Sequence, residues 1–261
     1  MSRVPPSLAL LAVGAVLGAC GKANPSASTA PHSPAASSAD RARARALVRA
    51  VNLTAAEVPG FSVSDKKKER ESPTERRLKA KLDECVHPVT TAPLAEASSP
   101  QFKREAGLVS ASVQSEVTVA ASRAVAAREL ANARSGHTRS CVSHYIALLV
   151  QQQAHHGASF GKVSIVQRIP PAPGTDGSFA WRISVPVTTH GITLALYFDI
   201  FAFVSGANEV TLFVSTVPVP PPAAVEKHLF SLLLQKAKAA ENGHLPNGPG
   251  RAAPNPNITS S

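Results

Sequence analysis

Apolar and polar positions in the second half of the chain alternate in the manner of an antiparallel sheet. Four runs rich in Val, Ile and Phe are separated by short segments containing Gly, Pro and Asn, which are typical of β-hairpins. The runs are 162–169, 179–187, 192–204 and 209–217. Because the third run is apolar on both faces, we expect it to be central in the sheet and covered on both sides.

The preceding residues have a helical period, interrupted by one strand. A short capped turn is predicted within 53–61, followed by a brief extended piece, and helices are predicted over 74–84, 122–134, 140–153 and 223–240. The strand is predicted over 108–119, with Val113, Val117 and Val119 on one face. Ser122 is the expected N-cap of one helix, and Gly136 is its expected stop signal.

These elements predict an α+β fold, in which a mainly antiparallel sheet of about five strands is packed with helices. The predicted domain covers residues 40–240. The segments 20–39 and 241–261 are rich in Pro, Ser, Asn, Ala and Gly without an apolar period. We therefore predict a disordered tether before the domain and a disordered tail after it.

The N-terminal apolar segment is too short to remain as a membrane span. It contains 12 uninterrupted non-polar residues, from Leu8 to Ala19, whereas a spanning helix needs about 20. Arg3 and the free amino terminus provide a positive flank, and small residues precede Cys20. Residues 1–19 therefore predict an export signal that is removed.

The segment Leu17-Gly18-Ala19-Cys20 resembles the bacterial lipobox, whose cysteine receives a diacylglyceryl group, with acyl chains such as palmitate, and becomes the mature N-terminus. Two or more acyl chains hold a protein stably at a bilayer, whereas one chain does so only marginally. The expected location is the extracytoplasmic face of the cell membrane, with the membrane itself as a partner through Cys20. Plain secretion with cleavage beside the cysteine is the alternative.

Cys85 and Cys141 are the two other cysteines of the chain. An even pair in a chain exported to an oxidising compartment predicts a disulfide. Two buried thiols are one alternative. A metal pair is another, which we disfavour because no further Cys or closely spaced His completes a ligand set.

The formal net charge of +10 raises the possibility of nucleic-acid binding. The densest charged run, 65–84, contains eight basic and six acidic side chains, so it is mixed rather than a phosphate-binding stripe. One Trp and two Tyr offer little surface for base stacking. We expect no nucleic-acid partner.

A second basic segment has a regular spacing. Arg41, Arg45 and Arg49 recur every four residues, so they share one side of a helix for which Asp40 is the expected N-cap. We hypothesise that these arginines contact anionic lipid headgroups beside the anchor. An ordinary solvated helix face is the alternative.

A G-x-S-x-G pattern at 157–161 suggests a hydrolase, with Ser159 as nucleophile and Asp199 and His228 following in the required order. That motif needs a strand before the serine and a helix after it, and here the predicted order is reversed. We expect no enzymatic activity; a cell-envelope serine hydrolase using Ser159 is retained as an alternative.

Two further features concern metals and buried charge. His144, His155 and His156 lie on or near one helix without a carboxylate at ligand spacing, so we predict no metal site and no cofactor.

Asp199 stands in the most apolar strand. There it either lines a cleft or, as we favour, serves as a structural hydrogen-bonded carboxylate.

The order of these elements resembles exported lipoproteins of high-GC Gram-positive bacteria. The resemblance lies in LTAAEVPGF, a cysteine, SVQSEVTV, SRAVAAREL, a second cysteine within HTRSCVSHY, a strand containing Trp181 and a closing LLLQKAKA helix. Within this group the chain is similar to the extracellular sensor domain of PknH-type receptor kinases and to LpqN-type lipoproteins with a PsbP-like fold. The resemblance covers about residues 50–240.

This resemblance implies a non-enzymatic, sensor-like module that binds an unknown envelope ligand or protein in a cleft beside its sheet. It transfers no ligand-binding residues to this chain. A carrier of lipids or other apolar ligands is a further alternative, which would require an apolar cavity.

Overall fold

The computed structural model describes residues 36–64, 72–89, 91–153, 158–189 and 191–243. The predicted signal peptide, Cys20, most of the tether and nearly all of the tail lie outside these residues. The described helices are α1 (Ser38–Val51), α2 (Pro73–Val86), α3 (Arg123–Ala133), α4 (Gly136–Gln153) and α5 (Ala223–Glu241). The described strands are β1 (Ser62–Val63), β2 (Ala95–Ser98), β3 (Phe102–Ala106), β4 (Val109–Val119), β5 (Ala158–Phe160), β6 (Ser164–Arg168), β7 (Gly177–Thr189), β8 (Ile192–Ser205) and β9 (Asn208–Val217).

All nine described strands form one antiparallel sheet with the order β1-β3-β4-β9-β8-β7-β5. In addition, β2 pairs with β4, and β6 pairs with β7. The α+β class is confirmed, but the expected number of about five strands is too small. The additional strands β1, β2, β3 and β5 have two to five residues each, which is too short for an alternating pattern to stand out.

The central position predicted for the third apolar run is confirmed. β8 lies between β7 and β9, and its alternate side chains enter two different cores. Phe203 packs under α1 and α5, whereas Ile200, Ala202 and Val204 pack under α2, α3 and α4. Helices therefore cover both faces of the sheet at this strand.

Trp181 and Leu233 represent the two cores, one on each face of the sheet. Both side chains are fully buried, Trp181 with the α2–α4 group and Leu233 on α5 with the α1 group. Truncation of such a core leucine to alanine costs about 2–5 kcal/mol in unfolding free energy.

Among the described helices, none combines the length and the apolar character needed to cross a bilayer.

The helix starts differ in detail from the predictions. α1 begins at Ser38, before the predicted domain start, and its N-cap is Ser37 rather than Asp40. Ser37 Oγ accepts a hydrogen bond from the Asp40 N–H (3.1 Å), and the Asp40 carboxylate accepts one from the Ser37 N–H (3.2 Å). This reciprocal capping box satisfies two N–H groups, which a cap at Asp40 would not do.

The boundary between α3 and α4 also differs from the prediction. Ser122 caps α3 as predicted, since its hydroxyl accepts from the Val125 N–H at 3.2 Å. Gly136 is not the residue that ends α3: Arg134 is the C-cap of α3, and Gly136, two residues further on, is the first residue of α4. The predicted capped turn that follows α1 is a 3-10 helix, Ala55–Glu57. The Glu57 carboxylate accepts hydrogen bonds from the Thr54 N–H (2.8 Å) and the Thr54 hydroxyl (3.0 Å).

Candidate functional site

A polar pocket lies on the sheet face that carries α3. Along β4, alternation sends Val113, Val117 and Val119 into the α1–α5 core, so the even-numbered side chains face the other way. The register with β9 places Glu116 opposite Thr211 and Thr118 opposite Glu209. These four side chains form the floor of the pocket.

Four glutamates line this pocket, which we call the glutamate pocket. Its complete lining is Thr91, Pro93, Glu96, Glu116, Thr118, Ala120, Val125, Glu129, Glu209 and Thr211. The cavity volume is about 50 Å³, which is space for roughly three water-sized groups. The pocket therefore suits one small polar group rather than a whole metabolite.

Burial and mutual repulsion make it costly for all carboxyl groups of the glutamate pocket to be ionised at once. Burial raises the pKa of Glu209 to about 9, and the hydrogen bond to Glu129 and the negative charges of Glu129 and Glu116 act in the same direction. Glu209 is therefore protonated at neutral pH. Among the described residues, its buried Oε1 atom has no hydrogen-bond partner.

A cation entering this pocket would reverse that balance. A positive charge beside Glu209 favours the ionised carboxylate, so binding would lower the pKa of Glu209 and release a proton. The threonine hydroxyls of the lining add neutral donors and acceptors. The pocket is thus equipped to accept a positively charged, hydrogen-bond-donating group.

Asp199 belongs to a separate buried charge cluster. Arg182 on β7 donates two hydrogen bonds to its carboxylate, from Nε to Oδ1 at 2.8 Å and from Nη2 to Oδ2 at 2.5 Å. The Asp199 side chain is 1% exposed and that of Arg182 is 23% exposed. The structure confirms the interpretation of Asp199 as a structural, hydrogen-bonded carboxylate.

The candidate hydrolase residues are not arranged as a nucleophile elbow. Ser159 lies within the edge strand β5, opposite Thr188 of β7, and not at a strand-to-helix turn. Asp199 is held by Arg182, and His228 is exposed on α5. Gly157, the first residue of the motif, lies outside the described residues.

The three arginines of the spaced segment lie on the exposed side of α1. Arg41, Arg45 and Arg49 are all exposed, whereas Ala44 and Val48 of the same helix are buried. The three side chains are therefore accessible from solvent. Contact with anionic headgroups stays a prediction.

Cys85 and Cys141 form the predicted disulfide, with their Cα atoms 5.9 Å apart, and it joins α2 to α4. The sequence argument against a metal pair did not anticipate His137. Its Nε2 atom lies 3.6 Å from Cys141 Sγ. Of the histidines considered earlier, His144 is exposed on α4, and His155 and His156 lie outside the described residues.

No family model matches the chain, and no curated protein matches it. Sequence reasoning had not singled out Glu116, Glu129 or Glu209. The available signal was weak: Glu116 and Glu209 are carboxylates on strands whose other face is apolar, which is an ordinary pattern for a solvated sheet face.

Proposed function

We propose that this protein is a lipid-anchored, extracytoplasmic binding module without enzymatic activity, and that its glutamate pocket binds a cationic group of the ligand. The observation that carries the proposal is that Glu209, Glu129 and Glu116 line one small polar cavity. Burial, together with this crowding, raises the pKa of Glu209 to about 9. Because repulsion among these carboxylates keeps one of them protonated, a bound cation can take the place of that proton.

The size and lining of the pocket narrow the ligand class. With a volume of about 50 Å³, the pocket takes a terminal ammonium or guanidinium group, and the remainder of the ligand extends outside. The exposed Glu96 carboxylate at the rim meets an approaching positive charge first. Because carboxylates and hydroxyls predominate in the lining, a cationic ligand is favoured over the apolar ligand of a lipid carrier.

The anchoring part of the proposal depends on the sequence. The apolar segment before Cys20 has the length of an export signal rather than of a span, and the lipobox-like tetrapeptide ends at that cysteine. The Cys85–Cys141 disulfide agrees with an oxidising, extracytoplasmic compartment. The basic face of α1 follows the tether, within reach of the membrane surface.

The binding proposal is tested by calorimetry on the full mature protein. Butylammonium, butylguanidinium and the uncharged butyramide serve as probes. We expect binding of the two cations only, with an enthalpy that depends on the ionisation enthalpy of the buffer because a proton is released. Glu209→Gln should abolish the buffer dependence, whereas the matched control Glu105→Gln, on the exposed part of β3, should leave it unchanged. Equal binding of butyramide would overturn the proposal.

The anchor is tested separately by the intact mass of the protein from the membrane fraction. We expect acyl mass on Cys20, and we expect Cys20→Ala to move the protein out of that fraction. A mature protein with an unmodified Cys20 would overturn the anchor and leave the pocket proposal standing. Esterase activity that is lost in Ser159→Ala would instead support the hydrolase alternative.

A further inference from the structure

A second group of functional side chains lies where α2 ends against the start of α4. One ligand atom from each of Cys85, His137 and Cys141 lies within 4.8 Å of the others. His137 and Cys141 are four residues apart on α4, so both project from the same side of that helix. His137 Nε2–H also donates to the Cys85 carbonyl oxygen at 2.8 Å, which fixes the imidazole beside the sulfurs.

A second imidazole stands next to this group. His87 is the C-cap of α2 and has the left-handed backbone conformation, with φ 48° and ψ 61°. Its ring is stacked on that of His137, with the centroids 6.2 Å apart and the planes 10° from parallel. The two sulfurs and the His137 imidazole thus lie together, and the His87 ring lies one stacking distance away from them. The residues come from the segments Cys85-x-His87 and His137-x-x-x-Cys141.

We propose that Cys85, His87, His137 and Cys141 form a tetrahedral Zn²⁺ site when the disulfide is reduced. Two thiolates and two imidazoles are a ligand set that zinc prefers and binds with tetrahedral geometry. The disulfide and the zinc site are alternative states of the same residues, so the redox state decides whether the metal is held.

The chemistry of the exchange balances with a dithiol as reductant. One thiolate of the dithiol attacks a sulfur of the Cys85–Cys141 bond, that bond breaks, and the second thiol of the reductant closes its own disulfide. Two electrons and two protons thereby reach the cysteine sulfurs. Zn²⁺ then displaces the two thiol protons to solvent. The neutral His137 ring changes tautomer by proton exchange with water, from Nε2–H to Nδ1–H, and the freed Nε2 lone pair binds zinc in place of the hydrogen bond to the Cys85 carbonyl.

The two sulfurs need only local adjustment, whereas the His87 side chain has to turn out of its parallel stacking with His137 so that a ring nitrogen faces the ion. Two Zn–S bonds of about 2.3 Å at the tetrahedral angle place the sulfurs about 3.8 Å apart, and Cα atoms 5.9 Å apart allow this by side-chain rotation. Leu78 and Leu82 of α2 belong to the same apolar core as Val142 of α4. This packing holds the two helices together without the disulfide.

The site is also accessible to reductant and metal. His87 and His137 are exposed, and Cys85 is half-buried, whereas Cys141 is buried. Cys85 is therefore the sulfur that an incoming thiolate reaches, and Cys141 is the leaving thiolate beside His137. An exposed imidazole pair at the surface gives an arriving ion its first ligands.

Co²⁺, a spectroscopic substitute for Zn²⁺, tests the proposal on the full mature protein reduced with a phosphine. We expect thiolate-to-cobalt charge transfer and intense tetrahedral d–d bands in the reduced protein, saturating at one equivalent, and none in the oxidised protein. His137→Asn and His87→Asn should each weaken Co²⁺ and Zn²⁺ binding at least about tenfold, since even outer-shell changes at metal sites cost about 10- to 100-fold. The matched control is His144→Asn, an exposed histidine on α4 outside the group, which should bind like the wild type.

Three results would overturn the proposed zinc site. Absence of thiolate–cobalt bands in the reduced protein, or wild-type affinity in either His87→Asn or His137→Asn, would overturn the four-residue site. Far-UV circular dichroism follows the fold during reduction. If the reduced protein unfolds without metal, stoichiometric Zn²⁺ should restore the native spectrum, and failure to restore it would overturn the proposal as well.

Discussion

Arg182 on β7 and Glu226 on α5 are joined by a hydrogen bond of 2.9 Å, from Arg182 Nη2 to Glu226 Oε1. The same guanidinium also holds Asp199, so one cation serves two buried carboxylates. The N-cap of α5 is Pro222, which supplies no side-chain cap. The first turn of α5 is therefore attached to the sheet by this charge cluster, which we call the Arg182 cluster.

Removal of the guanidinium should destabilise the protein strongly. Arg182→Met leaves Asp199 and Glu226 buried without a cation, and breaking a buried ion pair from one side costs about 3–5 kcal/mol. Because Arg182 is 23% exposed, we expect the lower end of that range. Urea unfolding at neutral pH measures the free energy of unfolding. The matched control is Arg168→Met, an exposed arginine on the neighbouring strand β6, and a similar loss there would contradict a special role for the cluster.

The Arg182 cluster should also make stability depend on pH. Burial first, and then the hydrogen bond and charge of Asp199, raise the pKa of Glu226 to about 8, although Arg182 opposes the shift. A carboxyl whose pKa is raised on folding contributes its full stability below its unfolded pKa of about 4.5, and that contribution is lost as the pH rises through about 8. Glu226→Gln should flatten the profile of unfolding free energy between pH 5 and about 8.

The control for this profile is Glu84→Gln, which changes an exposed residue of α2. It should reproduce the wild-type slope. A Glu226→Gln profile as steep as that of the wild type would show that the pH dependence arises elsewhere.

Cation binding at the glutamate pocket should strengthen as the pH rises. Since the pKa of Glu209 is raised to about 9, a cation that needs the ionised form competes with a proton at any lower pH. The affinity for butylammonium should then rise by up to about tenfold per pH unit and level off near pH 9. Glu209→Gln should bind the probe with little dependence on pH, and an unchanged slope in that variant would exclude Glu209 as the proton source.

The attachment of α1 to the sheet depends on one buried amide. Asn52 Nδ2 donates to the carbonyl oxygens of Val48 (2.9 Å) and Ala97 (2.8 Å), and its Oδ1 accepts from Ser115 Oγ (2.8 Å). Asn52→Ala removes these three hydrogen bonds, although the Val48 carbonyl keeps the backbone N–H of position 52 and Ser115 Oγ keeps the Leu53 N–H. We expect a loss of about 2–4 kcal/mol in unfolding free energy. The exposed Asn242, beyond the end of α5, provides the control Asn242→Ala, which should change stability by less than about 0.5 kcal/mol.

The basic face of α1 should contribute to membrane attraction in an unlipidated protein. Each arginine near an anionic surface is worth about 1 kcal/mol, so changing Arg41, Arg45 and Arg49 to Gln should weaken binding to anionic vesicles by about 3 kcal/mol. The corresponding triple Lys variant preserves the charge and serves as the control. Co-sedimentation with vesicles measures the effect, and indifference of the Gln variant would leave these arginines as a solvated helix face.

Local patterns in the sequence were sufficient for the long elements. β7 and β9 alternate over ten or more residues each, and β8 is a run of 14 residues with apolar side chains on both faces. Helices such as α5 repeat their apolar positions over several turns. The count of cysteines predicted the disulfide, because an exported chain with two of them has one pairing within its domain. Caps such as Ser122 were visible because a cap and its helix are neighbours in sequence.

The glutamate pocket, the Arg182 cluster and the histidine pair beside the disulfide were decided by tertiary structure alone. Glu116 and Glu209 face the same cavity because β4 and β9 pair in one particular register, although the two residues are far apart in the chain. Likewise, His137 reaches Cys85 because α2 and α4 pack on the same face of the sheet. Short-range hydrophobic periodicity determines which face a side chain occupies within its own element. Which distant side chain lies opposite it depends on the packing of the whole fold, because that contact is made only when the cores on both sheet faces have closed.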